Sequence, residues 1–544
     1  MARLNKLLQR LDAWLDSSPK GFTSDIPARK RYVVLIIPLV FVVVSLVMGF
    51  SRLQLIELSH PVSQEVHQMP PRTSKLHYLV PSSFVNDAVC AGIISALVNR
   101  YPIPTLIGYK GENEFDAVDH LAKVRVINRF LKTLPAEDDD LVIVVDSFDV
   151  LAQLPVEVTL ERYFEMSARS EKQLADQRGI TIDELHDLGI RQSILYGTGK
   201  ICFDANPNEP LCPFVPGSNS AQQKFGVMTG GFSDPRYRDS RYLNSGTIMA
   251  PVGHLRKFMH AVQELVEADD VIVPLNVTSH GRFRHHMDQW FTATLYVRQE
   301  YHRALDMNGG KYPGNLTGVS DLPKPRKSAN DTTEYHIFVD FDSSFTQTQC
   351  HNELEIHQLN YSNHDLTSSV TEDFMNEGKA FKPHALQMPA SIYQAFGRVW
   401  DNLSHVPNIT LVQQPRVWIQ SLGLATNVAS GSIHAFYHNT CSKAKFLETY
   451  KTFWFFPLVV PLLELAKMDR DDMRPLHSGL IDGRMWIAAR DYPQSPSEPG
   501  HDVEETYLGG VFTDFAAEPF LNLPALCREN WTDSIGTQVH GGSR

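Results

Sequence analysis

Asp146-Ser147-Phe148-Asp149 directly follows Leu141–Val145, five consecutive apolar and largely β-branched residues. Such a run predicts a strand buried on both faces of an α/β sheet. In open α/β sheets ligands bind outside the carboxyl ends of the strands, so both acids fall where a substrate would sit. Two carboxylates three positions apart on a turn can converge on one divalent cation, and Mg²⁺ or Mn²⁺ takes carboxylate and phosphate oxygens in octahedral geometry. A cation held there would neutralise a diphosphate leaving group as its bond breaks. The plainer reading makes one Asp the cap of the next helix and the other a surface acid.

Two further polar groupings could join this chemistry. Tyr242-Leu243-Asn244-Ser245-Gly246 precedes a strand-like run, and Asp288-Gln289 opens a helical stretch. Taken locally, Asn and Ser before Gly are turn residues and Asp288 is a helix N-cap. Their order along the chain after the acid pair is what connects them to it.

Several elements must position these residues. Residues 76–80 are strand-like and lead into Pro81-Ser82-Ser83; residues 85–100 carry helical spacing, and 105–108 return to strand. This βαβ opening predicts a parallel sheet. A helix over 118–134 and an acidic connection at 137–140 precede the buried strand. Helix-rich sequence over 156–190, a loop-rich segment to about residue 240, a strand at 246–250 and a helix over 252–268 follow. Residues 310–334 read as an exposed loop, and 336–341 and 431–437 as strands. The apolar stretch 453–465 is too short for a membrane span and is interrupted by Pro457 and Pro461, so it is expected in the core.

An Asp-x-x-Asp after a buried strand, then Tyr-Leu-Asn-Ser-Gly, then Asp-Gln followed by an aromatic resembles the glycosyltransferase domain of the procollagen lysyl hydroxylases and, more distantly, the collagen galactosyltransferases. The likeness runs over roughly residues 75–450. It includes Pro81-Ser82 after the opening strand, Lys123-Val124-Arg125 ahead of the acidic connection, and the loop around Cys202 and Cys212.

The resemblance implies a GT-A fold, a Rossmann-type mixed sheet flanked by helices, with a UDP-sugar at the strand ends and Mn²⁺ held by Asp146 and Asp149. Phe148 stands where the family places an aromatic to stack on uracil; its other reading is a core residue beneath the turn. Ser82 and Lys123 would join the donor site, and Asn244, Ser245 and Gly246 would shape the donor-sugar and acceptor pocket. Asp288, with Gln289 beside it, would deprotonate the acceptor hydroxyl if transfer inverts the anomeric carbon, or orient the donor sugar if it retains. The family's late histidine and lysine match His438 and Lys443, although both glycines of the family pattern are missing here. His434 is the rival ligand, since strand alternation would send both histidines to one face. An imidazole suits Mn²⁺, and a lysine binds phosphate as a point charge. The sequence after residue 450 is too short for the hydroxylases' iron domain and lacks its His-x-Asp pair, so lysine hydroxylation is not expected.

The net charge of −12 argues against a nucleic-acid partner. Residues 32–50 form nineteen uncharged residues, YVVLIIPLVFVVVSLVMGF. At about 1.5 Å per residue this just crosses a hydrocarbon core of roughly 30 Å. Arg3, Lys6, Arg10, Lys20, Arg29, Lys30 and Arg31 precede it and only Arg52 follows closely, which puts the N-terminus in the cytosol. A cleaved signal peptide is the competing reading, against which stand the thirty polar and charged residues ahead of the apolar run.

The expected organisation is a cytosolic tail (1–31), a transmembrane anchor (32–50), a stem (51–74), a glycosyltransferase domain (75–450) and an extension packed on it (451–544). Sequons at Asn276, Asn315, Asn330, Asn360, Asn402, Asn408 and Asn530 all follow the span, as do all six cysteines, consistent with a lumenal body. Six cysteines allow fifteen pairings; Cys202 and Cys212, bracketing a Pro/Asn-rich loop, are one candidate pair. The expectation is a single-pass type II membrane enzyme of the Golgi, or of the endoplasmic reticulum, moving a hexose from a UDP-sugar to an unidentified hydroxyl acceptor on a protein or glycan. A catalytically silent, tethered binding or chaperone module with the same fold is the alternative, and a two-carboxylate glycoside hydrolase a third.

Overall fold

The computed structural model describes residues 71–111, 121–202, 212–218, 235–272, 287–312, 324–325, 332–361, 386–406, 413–471, 474–493, 508–527 and 535. The expected cytosolic tail, membrane anchor and nearly all of the stem lie outside these residues. Among the described residues no helix is long and apolar enough to cross a membrane.

The described residues begin with β1 (Thr73–Pro81), α1 (Asp87–Val98), β2 (Thr105–Ile107), α2 (Ala122–Thr133), β3 (Leu141–Val145) and β4 (Val150–Ala152). It continues through α3 (Val156–Arg178), α4 (Ile182–Asp187), β5 (Ile194–Gly199), β6 (Tyr242–Pro251), α5 (Val252–Ile272), α6 (Asp288–Met307), β7 (Ile337–Val339), β8 (Thr346–Thr348) and β9 (Ile356–Leu359). Then come α7 (Ala390–Ser404), α8 (Pro415–Ser421), β10 (Leu424–Asn427), β11 (Ser432–Ile433), β12 (Phe436–His438), α9 (Phe446–Tyr450) and α10 (Val459–Asp471). The last elements are β13 (Met485–Ala488), β14 (Gly510–Thr513), β15 (Phe520–Asn522) and α11 (Leu523–Cys527).

Twelve strands form one mixed sheet with a spine in the order β15-β14-β2-β1-β3-β6-β5-β8-β12-β4, and β9, β10 and β11 make a small antiparallel sheet beside it. β1 pairs parallel with both β2 and β3, as the βαβ opening predicts, so the carboxyl ends of all three lie along one edge. β6 runs antiparallel to β3 and returns its first residues to that edge. Helices cover both faces. The alternation of β3 shows this directly: Leu141, Ile143 and Val145 enter one core while Val142 and Val144 enter the other. Burying each such side chain contributes about 1.5–3 kcal/mol, which fixes the register of the strand that carries the acid pair.

Local chemistry sets the boundaries of the flanking elements. The Asn86 side chain caps α1 by accepting from the Val89 N–H. α3 ends at Gly179 in the left-handed conformation (φ 67°), and Thr181 with Glu184 forms the capping box that starts α4. α1 is apolar nearly all round and lies inside the fold. At Gly92 a Cβ would stand 3.2 Å from the Val150 carbonyl oxygen, so the missing side chain lets α1 pass directly beneath the acidic turn.

The C-terminal residues 451–544 do more than pack on the domain. β13 pairs with β1 and β14 with β2, both in parallel, so the sheet is assembled from both ends of the body. β1 also starts at Thr73, inside the expected stem. Cys90 of α1 is bonded to Cys527 of α11, Cys202 to Cys212 and Cys350 to Cys441. Phe453, Trp454 and Phe455 are buried as expected, with the Trp454 indole N–H donating to the Gln153 carbonyl at 2.7 Å.

A chain ending at residue 450 loses β13 from beside β1, β14 from beside β2, and the Cys527 partner of Cys90. It is expected to lose the cooperative thermal transition of the longer body, as read by circular dichroism.

Candidate functional site

The acid pair, the Asn-Ser-Gly segment and the late histidine meet at the carboxyl edge of β3. The Asp146 N–H donates to the Gly246 carbonyl at 2.8 Å, drawing the start of β6 against the acidic turn. β12 pairs antiparallel with β4, His438 opposite Val150, and the Asn439 N–H donates to the Asp149 carbonyl at 2.8 Å. One ligand atom each from Asp146, Asp149 and His438 lies within 4.8 Å of the others. His438 Nε2 is 3.4 Å from Asp149 Oδ1 and 3.7 Å from Asp146 Oδ2.

The imidazole is held from behind. Its Nδ1 lies 2.9 Å from Asn244 Oδ1, an atom that only accepts, so Nδ1 carries a proton and Nε2 is the ring nitrogen that faces the carboxylates. A histidine that ligates through Nε2 keeps its proton on Nδ1, held by a hydrogen bond of this kind. Asn244 is itself fixed: its Oδ1 also accepts from the Gly246 N–H at 3.2 Å, and its amide donates to Gln289 Oε1 at 3.0 Å. A Cβ at Gly246 would fall 2.0 Å from His438 Cε1, so no other residue leaves room for the ring.

Two lysines balance the acids. The Lys123 ammonium donates to the Ser245 carbonyl at 2.9 Å and pairs with Asp146 Oδ1 at 2.6 Å and Asp288 Oδ2 at 2.9 Å. Burial alone would lower its proton affinity, but the two carboxylates hold it above the usual lysine range. Lys443 reaches Asp149 Oδ2 at 3.1 Å from an exposed position. Burial raises the Asp149 carboxyl pKa, and the opposing effects of His438 and Lys443 outweigh it, leaving the group lowered to about 2.

The sequence-derived residues fall into distinct places. Asp288 is the first residue of α6, Gln289 the second, and both join the site through Lys123 and Asn244. Lys123, expected to bind donor, spends three N–H groups on protein acceptors and ties the metal side of the cleft to Asp288. Ser82 is buried at the end of β1, where its hydroxyl donates to the Phe84 carbonyl at 2.6 Å. Phe148 is half-buried, its ring centroid 5.0 Å from that of Phe84. Phe84 was not singled out by sequence; an aromatic directly after a strand-ending Pro-Ser-Ser is the signal that marks it.

His434 stands outside the Asp146–Asp149–His438 cluster. The strand does not run unbroken from 431 to 437: β11 ends at Ile433 and β12 begins at Phe436, so alternation fails between them. His434 is fully buried, tilted against the Tyr437 ring, with its pKa lowered to about 3 by burial and by Arg162.

Two measurements check this arrangement. Replacing Asn244 with Ala removes the group that sets the His438 tautomer; Mn²⁺ affinity by titration calorimetry is expected to fall about 10- to 100-fold. His434 stays neutral in the folded protein while it protonates near pH 6.5 when unfolded. The unfolded state therefore binds the extra proton between pH 6.5 and about 3, and stability falls as pH falls through that window. His434→Gln is expected to flatten this acid limb, by an amount on the order of 5 kcal/mol at most, in denaturant titrations across pH. Neither a family model nor a curated protein matches the chain, so the reading of the site rests on its own geometry.

Proposed function

We propose that the protein is a metal-dependent glycosyltransferase of GT-A type that moves a hexose from a UDP-sugar to a hydroxyl acceptor in the secretory-pathway lumen, anchored through residues 32–50. The observation that carries this reading is the convergence of Asp146, Asp149 and His438 Nε2, with the imidazole tautomer fixed by Asn244. The residues fit a divalent cation. Two carboxylates and one neutral imidazole form a donor set that Mn²⁺ accepts, and the absence of a side chain at Gly246 leaves the histidine its place.

Charge supports the same reading. Asp146, Asp149 and Asp288 against Lys123 and Lys443 leave the cleft with one surplus negative charge when His438 is neutral. A divalent cation held by Asp146, Asp149 and His438 would invert that balance and would supply Lewis-acid stabilisation to a departing nucleoside diphosphate. Lys443, on the loop after β12, is exposed and within reach of the same place, so its ammonium can leave Asp149 for a phosphate oxygen. Lys123 stays with the protein and holds Asp146 and Asp288 at fixed separation. Asp288 and Gln289 present hydrogen-bond acceptors at the start of α6, where a reacting sugar or acceptor hydroxyl would be oriented.

A second reading draws on the lysines themselves: because both acids already have cationic partners, the same fold could persist as a silent binding module. UDP release by the lumenal fragment, residues 52–544, with a panel of UDP-sugars and Mn²⁺ separates the two. Turnover that needs the metal, stops on chelation and is abolished in Asp149→Ala is expected. Absence of both turnover and UDP binding with every donor would favour the silent module.

A further inference from the structure

Phe84 lies in the loop after β1, at the carboxyl edge shared with the acidic turn, and 52% of it is exposed. Its ring meets that of Phe148 at 5.0 Å between centroids and 34° between planes. Phe148 sits between Asp146 and Asp149 in sequence, so Phe84 adds an exposed ring beside the turn that carries two of the candidate metal ligands. A large aromatic side chain exposed to this extent costs hydration free energy unless something covers it.

The loop is also held. The Ser82 N–H donates to the Ile107 carbonyl at 3.0 Å, the Ser82 hydroxyl to the Phe84 carbonyl at 2.6 Å, and the Lys110 N–H to the Ser83 carbonyl at 3.0 Å. The exposed ring is thus presented from a fixed backbone, which lowers the ordering cost of any ligand that packs on it.

We propose that Phe84 is a specificity-determining residue that packs on the base of a nucleoside diphosphate whose phosphates lie at Asp146, Asp149 and His438. This rests on the donor-site reading above. The two rings touch each other, so the base does not slide between them; it covers the exposed surface that Phe84 adds to Phe148. Every base has a π-face, and the contact therefore selects a planar heteroaromatic ring over a bare phosphate without itself choosing among bases.

The test titrates UDP and, separately, inorganic pyrophosphate into the Mn²⁺-loaded protein, comparing wild type with Phe84→Ala and Phe84→Tyr. Phe84→Ala is expected to weaken UDP about 5- to 150-fold, the range that loss of one base–aromatic contact produces. Pyrophosphate affinity should be unchanged, and Phe84→Tyr should restore UDP binding. Undiminished UDP affinity in Phe84→Ala, or equal weakening of both probes, would overturn this role while leaving the donor site intact. Failure of the wild type to bind either probe would overturn the donor reading itself, and this role with it.

Discussion

Three carboxylates occupy one cleft at the end of β3, and like charges this close cannot all stay ionised without compensation. Lys123 supplies most of it. Its ammonium is largely buried, and three hydrogen bonds to Asp146, Asp288 and the Ser245 carbonyl replace the water it has lost. Removing one partner of such a buried pair typically costs 3–5 kcal/mol, because the charge left behind is uncompensated. The geometry on either side of the cleft, the Asp146–Asp149–His438 cluster toward β3 and the start of α6 opposite, is held at the separation this single side chain sets.

Around it the site is made from strand ends. Asp146 is joined to β6 by the hydrogen bond to Gly246, His438 to β4 by strand pairing, and Asn244 to both His438 and Gln289. Sites on strands keep tighter geometry than sites on loops, and here the ligands inherit the rigidity of a sheet with cores on both faces. Lys443 and Phe84 stand outside this frame, one on the loop after β12 and one on the loop after β1. The fixed inner residues can hold and the outer ones can adapt.

Sequence reasoning read the local features well. The run at Leu141–Val145 carries its strand in composition alone, and Asp288 opens α6 where an N-terminal acid belongs. The close spacing of Cys202 and Cys212 marked them as a candidate pair, and they are bonded. What escaped was non-local. Nothing near Lys123 shows that its ammonium will meet residues 146 and 288, and nothing near Met485–Ala488 shows that the strand pairs with β1. Period-two alternation failed at His434 because the chain leaves one sheet and enters another between Ile433 and Phe436. Gly246 looked like a turn glycine, whereas its role is to make room for a ring that arrives from a strand nearly two hundred residues later.

The bond between Cys90 and Cys527 spans 437 residues. During vectorial synthesis β1 and α1 emerge among the first folded elements, yet the strand beside β1 and the thiol opposite Cys90 emerge near the end. Contacts of such long sequence separation form slowly, since loop closure must precede any gain from pairing. Cys202 and Cys212, ten residues apart, can close early; Cys90 meets four other cysteines before its own partner is made. The covalent tie that holds α1 therefore cannot close until α11 has been made, so the two ends of the described fold are joined only when nearly the whole chain exists.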